Sequence, residues 1–227
     1  MEHGDSLGNK GVIGSGDVQW MTAGSGIIHQ EMPRGDDKGA MHGFQLWANL
    51  PASLKMTDPR YQDVKAADIP EVTDDDETRV RVICGDFWGV TGPVDGIAAE
   101  PRYLDVRVPP LTRKRLPVET TRHAFAYVFS GSGRFSNAAE PRAVRTDEID
   151  RPESSSATAV EDRTLVVFDR GDEVVVDAGE DGVRFLLVSG KPIEEPVAWH
   201  GPIVMNTEAE LKQAFEEYRA GTFLKHG

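Results

Sequence analysis

The sequence predicts an all-β fold made of two related β units, the first of them incomplete, followed by one C-terminal α-helix. Three observations lead to this prediction: short runs rich in Val, Ile, Leu and Phe, an internal repeat, and a single helical window near the end of the chain. Short strands separated by Gly, Pro and Asp are typical of an antiparallel sandwich or barrel.

The first unit is organised around residues 12–33. Residues 14–17 and 24–26 are expected to form turns, and residues 27–32 a strand. Side chains of a strand alternate between its faces, so His29 and Glu31 should converge on one side. An imidazole and a carboxylate placed in this way are half of a facial non-haem iron site. The alternative is a polar pair that is hydrogen-bonded inside a wet barrel.

Residues 42–50 alternate between apolar and polar side chains and predict a half-buried strand. Two further histidines are weaker candidates for metal ligands. His3 stands beside a glycine and is expected at the surface, and His42 is expected to pack against or cap the strand.

The second unit is predicted from a succession of short strands. They cover residues 80–84, 103–108, 124–129, 165–168, 173–176 and 183–188. Residues 137–162 are polar, contain a run of Ser and lack periodicity, which predicts a long insertion in one hairpin.

One helix is predicted near the C-terminus. Thr207 and Glu210 have the spacing of a capping box, and Leu211, Phe215 and Tyr218 fall on one face. Gly221 is expected to end the helix.

An internal repeat relates the two units. Residues 12–24 align with residues 167–179, and after one inserted residue His29 falls on Phe185 and Glu31 on Leu187. The second unit should therefore have an apolar, metal-free interior. A buried polar pair costs stability unless something satisfies it, so the pair in the first unit favours a bound metal.

The repeat also predicts that the first unit lacks counterparts of several strands. An open barrel exposes unpaired backbone edges, which favours aggregation or pairing with another chain. Two ligands on one strand, without further ligands, make a weak and unselective metal site.

Composition narrows the functions that the chain can have. Its 227 residues carry a net charge of −13, which opposes a direct grip on nucleic acid phosphates. If the protein works near DNA, another protein is expected to hold the DNA. The single cysteine, Cys84, excludes an internal disulfide and suits a reducing compartment. The start of the sequence is not expected to be a signal peptide and no apolar run is long enough to span a membrane, so a cytoplasmic or nuclear location is expected.

The runs GDVQWMTAGSGIIHQEMP, HGFQLWANLP and EEPVAWHGPIVMNT resemble the pirin family across essentially the whole chain. The resemblance implies two tandem cupin barrels of the jelly-roll (double-stranded β-helix) type. Residues 1–75 would be the remainder of the N-terminal cupin domain, residues 76–200 the metal-free C-terminal cupin domain, and residues 201–227 the helix and tail.

The resemblance also implies one iron, Fe2+ or Fe3+, held by three histidines and a glutamate. His29 and Glu31 match the second pair of these ligands. The first pair belongs to a His-Pro-His-Arg-Gly segment that this sequence does not contain. The expectation is therefore a chain truncated at its N-terminus, or a variant that has lost the site, with low iron occupancy.

Two functions follow from the resemblance. One is a redox-sensitive transcription co-regulator that acts in the nucleus through protein partners such as transcription factors. The alternative is a quercetin 2,3-dioxygenase with a flavonol substrate, in which Glu31 is a metal ligand and general base. A third interpretation is an inactive fragment without metal.

Overall fold

The computed structural model describes residues 1–136 and 159–225, and the backbone of residues 142–145. The described chain falls into two compact units. The first consists of Met1–Ala66 and Ile193–Gly227, and the second of Ala67–Pro192. The boundaries predicted from the sequence lie after residues 75 and 200.

Strands account for nearly all regular structure, and they follow one another in this order: β1 (Glu2–Asp5), β2 (Lys10–Val12), β3 (Val18–Thr22), β4 (His29–Met32), β5 (Arg60–Val64), β6 (Glu71–Thr73), β7 (Arg79–Cys84), β8 (Asp86–Phe87), β9 (Val90–Thr91), β10 (Arg102–Val108), β11 (Arg113–Pro117), β12 (His123–Ser136), β13 (Arg142–Arg145), β14 (Val160–Glu161), β15 (Thr164–Val167), β16 (Glu173–Gly190), β17 (Ala198–His200) and β18 (Ile203–Met205). Two short 3-10 turns cover Ala52–Leu54 and Ala66–Asp68, and the helix α1 covers Glu208–Ala220.

The first unit contains a small antiparallel sheet with the strand order β2-β1-β4. The turn between β1 and β2 forms because the Asp5 carboxylate accepts hydrogen bonds from the backbone N–H groups of Leu7 at 2.9 Å and Asn9 at 3.0 Å. Side chains that bond nearby backbone in this way stabilise tight turns. The other edge of β1 pairs antiparallel with β4.

Strands β3 and β5 form a separate antiparallel pair, and Asp17 anchors it. The Asp17 carboxylate accepts hydrogen bonds from the backbone N–H groups of Gly14 at 2.9 Å and Ala66 at 2.8 Å. These two bonds hold the pKa of Asp17 below its usual value, because they stabilise the charged carboxylate. The turn predicted at residues 14–17 is confirmed.

The predicted helix is confirmed together with its ends. Thr207 and Glu210 form a capping box, and Gly221 ends the helix in the left-handed conformation at φ 73°. Leu211 is buried, and the ring of Phe215 contacts that of His200 of β17 with their centroids 5.5 Å apart. Among the described residues no helix combines the length and the apolar character needed to cross a membrane.

The second unit is built on the antiparallel path β13-β15-β12-β16-β10-β7-β6, with β11 pairing β16 and β14 pairing β12. The predicted strands of this unit are confirmed, except that residues 173–176 and 183–188 are two halves of the single long strand β16. Strand β16 supplies Phe185, which is fully buried in the apolar core, and Leu187, which is 2% exposed. The interior of the second unit is therefore hydrocarbon where the first unit carries the ionisable pair.

Residues 42–50 form no strand and are mostly exposed, so the strand predicted there is wrong. The alternating pattern is not sufficient, since a strand also needs a partner and no described strand pairs with this segment.

The insertion predicted at residues 137–162 lies largely outside the described residues. Of this stretch the structure describes β13, β14 and residues 159 and 162.

Replacing the buried Phe185 tests the apolar core of the second unit. We expect Phe185→Ala to lower the free energy of unfolding by about 3–5 kcal/mol, because it removes a fully buried ring and leaves a cavity. Urea denaturation followed by circular dichroism measures the loss. Phe44→Ala is the control, since Phe44 is 42% exposed and its loss should cost less than about 1 kcal/mol. Equal losses in the two variants would contradict the assignment of this core.

Candidate metal centre

The two predicted ligands lie on one side of β4. His29 Nδ1 is 3.7 Å from Glu31 Oε1, as expected for side chains at alternate positions of a strand. A nitrogen and an oxygen ligand of one metal ion lie about 2.0–2.2 Å from it, so they are separated by at most about 4.3 Å. The pair is therefore spaced as two ligands of a common ion can be.

The pair is more exposed than the sequence analysis expected. The side chains of His29 and Glu31 are 38% and 31% exposed, so the expectation of a buried pair is wrong. The physical reason lies in the neighbouring strands. In the second unit β16 has β10 on one side and β12 on the other, whereas in the described chain β4 pairs with β1 alone. One flank of the pair is left open.

The internal repeat extends to the strand beside the pair. Glu31 stands opposite His3, and its counterpart Leu187 stands opposite Ala126. Residues directly opposite in an antiparallel pair share a face of the sheet. The first unit thus replaces apolar side chains of the second with polar ones on two neighbouring strands, of which the sequence analysis identified only one.

The same replacement of apolar by polar side chains occurs at the pair two residues away on these strands. His29 stands opposite Asp5, where Phe185 of the second unit stands opposite Val128. The Asp5 carboxylate does not join the pair, because its oxygens accept hydrogen bonds from the turn that follows β1.

His3 is the residue that the sequence analysis placed wrongly. It is only 8% exposed and not on the surface. Its Nδ1 is 3.0 Å from Gln19 Nε2, and its Nε2 is 2.9 Å from the Tyr61 hydroxyl. The Tyr61 ring also stacks on the imidazole with centroids 5.4 Å apart. These partners lie on β3 and β5, which are distant from His3 in sequence, so no local sequence pattern predicts the contacts.

The imidazole of His3 packs closely against β2. A Cβ atom on Gly11 would lie 2.6 Å from His3 Nε2, so a larger residue at this position would have to displace the ring. Burial also raises the pKa of Tyr61, which keeps its hydroxyl protonated. His3 is thus a hydrogen-bonded link between two sheets of the unit, with both ring nitrogens engaged.

His42, the remaining histidine that was considered as a ligand, lies outside any strand. It is exposed, and its ring contacts Phe44 with centroids 5.2 Å apart.

The described residues therefore supply a pair of ligands and not a complete set. Across residues 1–136 and 159–225, no group of three or more His, Cys, Asp or Glu side chains is placed to hold a metal ion. A facial non-haem iron site takes at least three protein ligands. His29 and Glu31 have the donor chemistry and spacing for a metal, but they do not form the implied iron site by themselves.

Two family models match the chain. The family model described as "Pirin C-terminal cupin domain" matches residues 103–224, and the one described as "Pirin" matches residues 1–48. A "Pirin-like protein" of Caulobacter vibrioides is 42% identical over 98% of this chain and 73% of its own length.

Two solved structures are informative. A quercetin 2,3-dioxygenase from Acinetobacter baumannii has a TM-score of 0.79 and 30% identity, and the match covers 98% of this chain and 72% of that one. The bacterial pirin YhhW from Escherichia coli, solved in complex with nickel(II), has a TM-score of 0.51 at 14% identity and covers 84% of this chain and 68% of its own, which shows the fold alone. The predicted cupin fold class is confirmed.

The polar link at His3 can be tested by removing the ring. We expect His3→Ala to lower the free energy of unfolding by about 1–3 kcal/mol, because Gln19 and Tyr61 lose their buried hydrogen-bond partner. Urea denaturation measures the effect. His42→Ala, which removes an exposed ring, should change the stability by less than about 0.5 kcal/mol. A His3→Ala protein as stable as His42→Ala would contradict the role of this link.

Proposed function

This chain belongs to the pirin family, and we propose that it binds a divalent first-row metal ion and oxidises a flavonol with dioxygen. The activity is the one by which its solved relative from Acinetobacter baumannii is named. The observation that supports the proposal is the His29 and Glu31 pair on one face of β4, with its ring nitrogen and carboxylate oxygen 3.7 Å apart.

The chemistry of the two side chains supports a metal of this class. Imidazole suits iron, nickel, copper and zinc, and combinations of imidazole with carboxylate are typical of oxygenases that use non-haem iron. Iron itself stays a prediction, and the solved Escherichia coli pirin was in complex with nickel(II). The proposal is therefore for a divalent first-row ion.

Glu31 is proposed to have a second role. A flavonol must lose a hydroxyl proton to become electron-rich enough to react with dioxygen, and a carboxylate can accept that proton when it lies within hydrogen-bond reach. The Glu31 side chain is 31% exposed, so a substrate hydroxyl can approach it. Glu31 would then be both a ligand and a general base.

The other function implied by the family resemblance, transcription co-regulation through protein partners in the nucleus, stays a prediction. The net charge of −13 is compatible with protein partners and opposes direct contact with nucleic acid phosphates. Dioxygen uptake separates the two functions, because a co-regulator has no need to consume a flavonol.

Metal binding and oxygen uptake test the proposal together. We expect the purified chain to carry less than one iron per molecule, because a pair of ligands binds weakly. With Fe2+ in excess, the wild type should consume dioxygen in the presence of quercetin. His29→Ala should lower the metal affinity by about tenfold or more, since even residues that only support a ligand cost about 10–100-fold when replaced.

One control variant and one further test variant make this outcome specific. His42→Ala removes an exposed histidine outside the pair and should keep both metal affinity and oxygen uptake. Glu31→Gln should lose oxygen uptake. Equal metal affinity and equal uptake in wild type and His29→Ala would overturn the proposed function.

A further inference from the structure

Three arginines of the second unit lie in one row across neighbouring strands. Arg79 of β7 stands directly opposite Arg107 of β10, and Arg107 stands directly opposite Arg184 of β16. Residues that are directly opposite in an antiparallel pair share a face of the sheet, with their Cβ atoms about 4.5–5.5 Å apart. The three guanidinium groups are therefore carried side by side on one face.

This face is the one that points away from the apolar core. Val80 follows Arg79 in β7 and Phe185 follows Arg184 in β16, and both apolar side chains are fully buried in the core. Since side chains of a strand alternate between its faces, the arginines belong to the other face. Arg79 and Arg107 are exposed there.

The arginines of the row differ in their partners. Arg184 donates two hydrogen bonds to the Asp105 carboxylate, from Nε to Oδ1 at 2.9 Å and from Nη2 to Oδ2 at 2.6 Å. Asp105 also lies 3.9 Å from Arg81, so its charge is shared between two cations. In the part of the chain that the structure describes, the guanidinium groups of Arg79 and Arg107 have neither a hydrogen bond nor an ion pair.

The acidic turn that precedes β7 does not neutralise the row. Asp74 and Asp76 both pair with Lys114 of β11, and the Asp76 carboxylate lies 2.9 Å from Lys114 Nζ. The side chains of Asp75 and Glu77 are exposed, and neither forms an ion pair with the described arginines of the row. Two adjacent positive charges thus remain without a counter-charge.

This arrangement differs from that of other exposed arginines in the same unit. On β11, Arg113 and Arg115 lie 3.6 and 2.6 Å from the carboxylates of Asp177 and Glu173. Like charges that stand directly opposite each other destabilise a sheet, and the chain has many carboxylates, with a net charge of −13. An external anion at the row would relieve the repulsion that the described carboxylates leave in place.

The charge and the spacing of the two unpaired groups match a phosphomonoester. A phosphorylated side chain carries about −1.5 to −2 charges at pH 7, so one such group balances two guanidinium groups, whereas a carboxylate balances one. Arginine binds phosphate through two parallel N–H···O bonds, and three phosphate oxygens offer acceptors to both arginines. One phosphoryl group can therefore be held by two arginines on neighbouring strands.

We propose that Arg79 and Arg107 bind a phosphorylated serine or threonine in an extended segment of a partner protein. Clusters of arginine are a recurring means of recognising phosphorylated segments. An exposed sheet face admits such a segment, whereas sites for free small molecules are mostly concave. The net charge of −13 opposes nucleic acid as the ligand. The row shares no residue with the His29 and Glu31 pair, so this inference is independent of the proposed function.

Nuclear magnetic resonance of the full chain with 15N-labelled arginine tests the proposal. The probe is a neutral pentapeptide, Gly-Gly-phosphoserine-Gly-Gly with blocked ends, titrated at one fixed salt concentration. We expect the Nε–H signals of Arg79 and Arg107 to shift together on one binding curve, while those of Arg113 and Arg115 stay in place. The same peptide with serine or aspartate should bind at least about tenfold more weakly, because it carries less charge and fewer acceptors.

Variants separate a specific contact from a general effect of charge. Arg79→Ala and Arg107→Ala should each weaken binding by about tenfold, and Arg79→Lys should weaken it as well, because lysine keeps the charge but lacks the fork. Arg113→Ala removes the same charge elsewhere in the unit and should change the affinity less than about twofold. Urea denaturation should show Arg79→Ala and Arg107→Ala to be at least as stable as the wild type, since each removes a repulsive pair.

The remaining outcomes identify a different ligand or none. Inorganic phosphate that binds these arginines more tightly than the phosphopeptide would assign the row to a free anion and overturn the proposal. A single-stranded oligonucleotide that binds there more tightly would overturn it in favour of nucleic acid. Equal shifts of Arg79 and Arg113, or unchanged affinity in Arg107→Ala, would also overturn it.

Discussion

The antiparallel pairing of β1 with β4 is the constraint on which the rest of the first unit depends. It fixes which side chains of β4 share a face, and it places His29 and Glu31 with their ligand atoms 3.7 Å apart. The His3 link to Gln19 and Tyr61 holds β1 in place from the other side. The geometry of the candidate pair thus follows from how β1 is held.

The two units carry different kinds of side chain at equivalent positions of a related β framework. At equivalent positions the second unit has Phe185 and Leu187, fully or nearly fully buried between two strands, and its stability comes from burial of hydrocarbon. The first unit has an imidazole and a carboxylate there, with one flank open in the described chain. Burial of an unpaired charge is costly, so the exposure of this pair is what makes it compatible with a folded unit. The same exposure makes the pair accessible to a metal or a substrate.

The features that the sequence predicted correctly are those that local chemistry determines. The face shared by His29 and Glu31 follows from strand alternation, the ends of α1 follow from the capping box and Gly221, and the turn at residues 14–17 follows from the Asp17 carboxylate. The apolar interior of the second unit followed from the internal repeat, because the repeat transfers positions between two β units.

The features that were missed depend on partners that are distant in sequence. The strand expected at residues 42–50 has the right alternation but no described strand beside it. His3 was expected at the surface, and it is buried by Tyr61, which lies 58 residues away. The exposure of the ligand pair likewise depends on which strands flank β4. Local patterns carry no information about such contacts, so they predict which side chains share a face and not what covers that face.

Nuclear magnetic resonance of the chain with 15N-labelled histidine tests the assignment of the ligand pair most directly. The six histidines can be followed individually during a titration with Zn2+, and His29→Ala identifies the signal of His29. The account predicts that the ring nitrogens of His29 shift first and furthest, while those of His3 keep their positions because Gln19 and Tyr61 occupy them. Shifts at His3 or His42 with an unchanged His29 would contradict it.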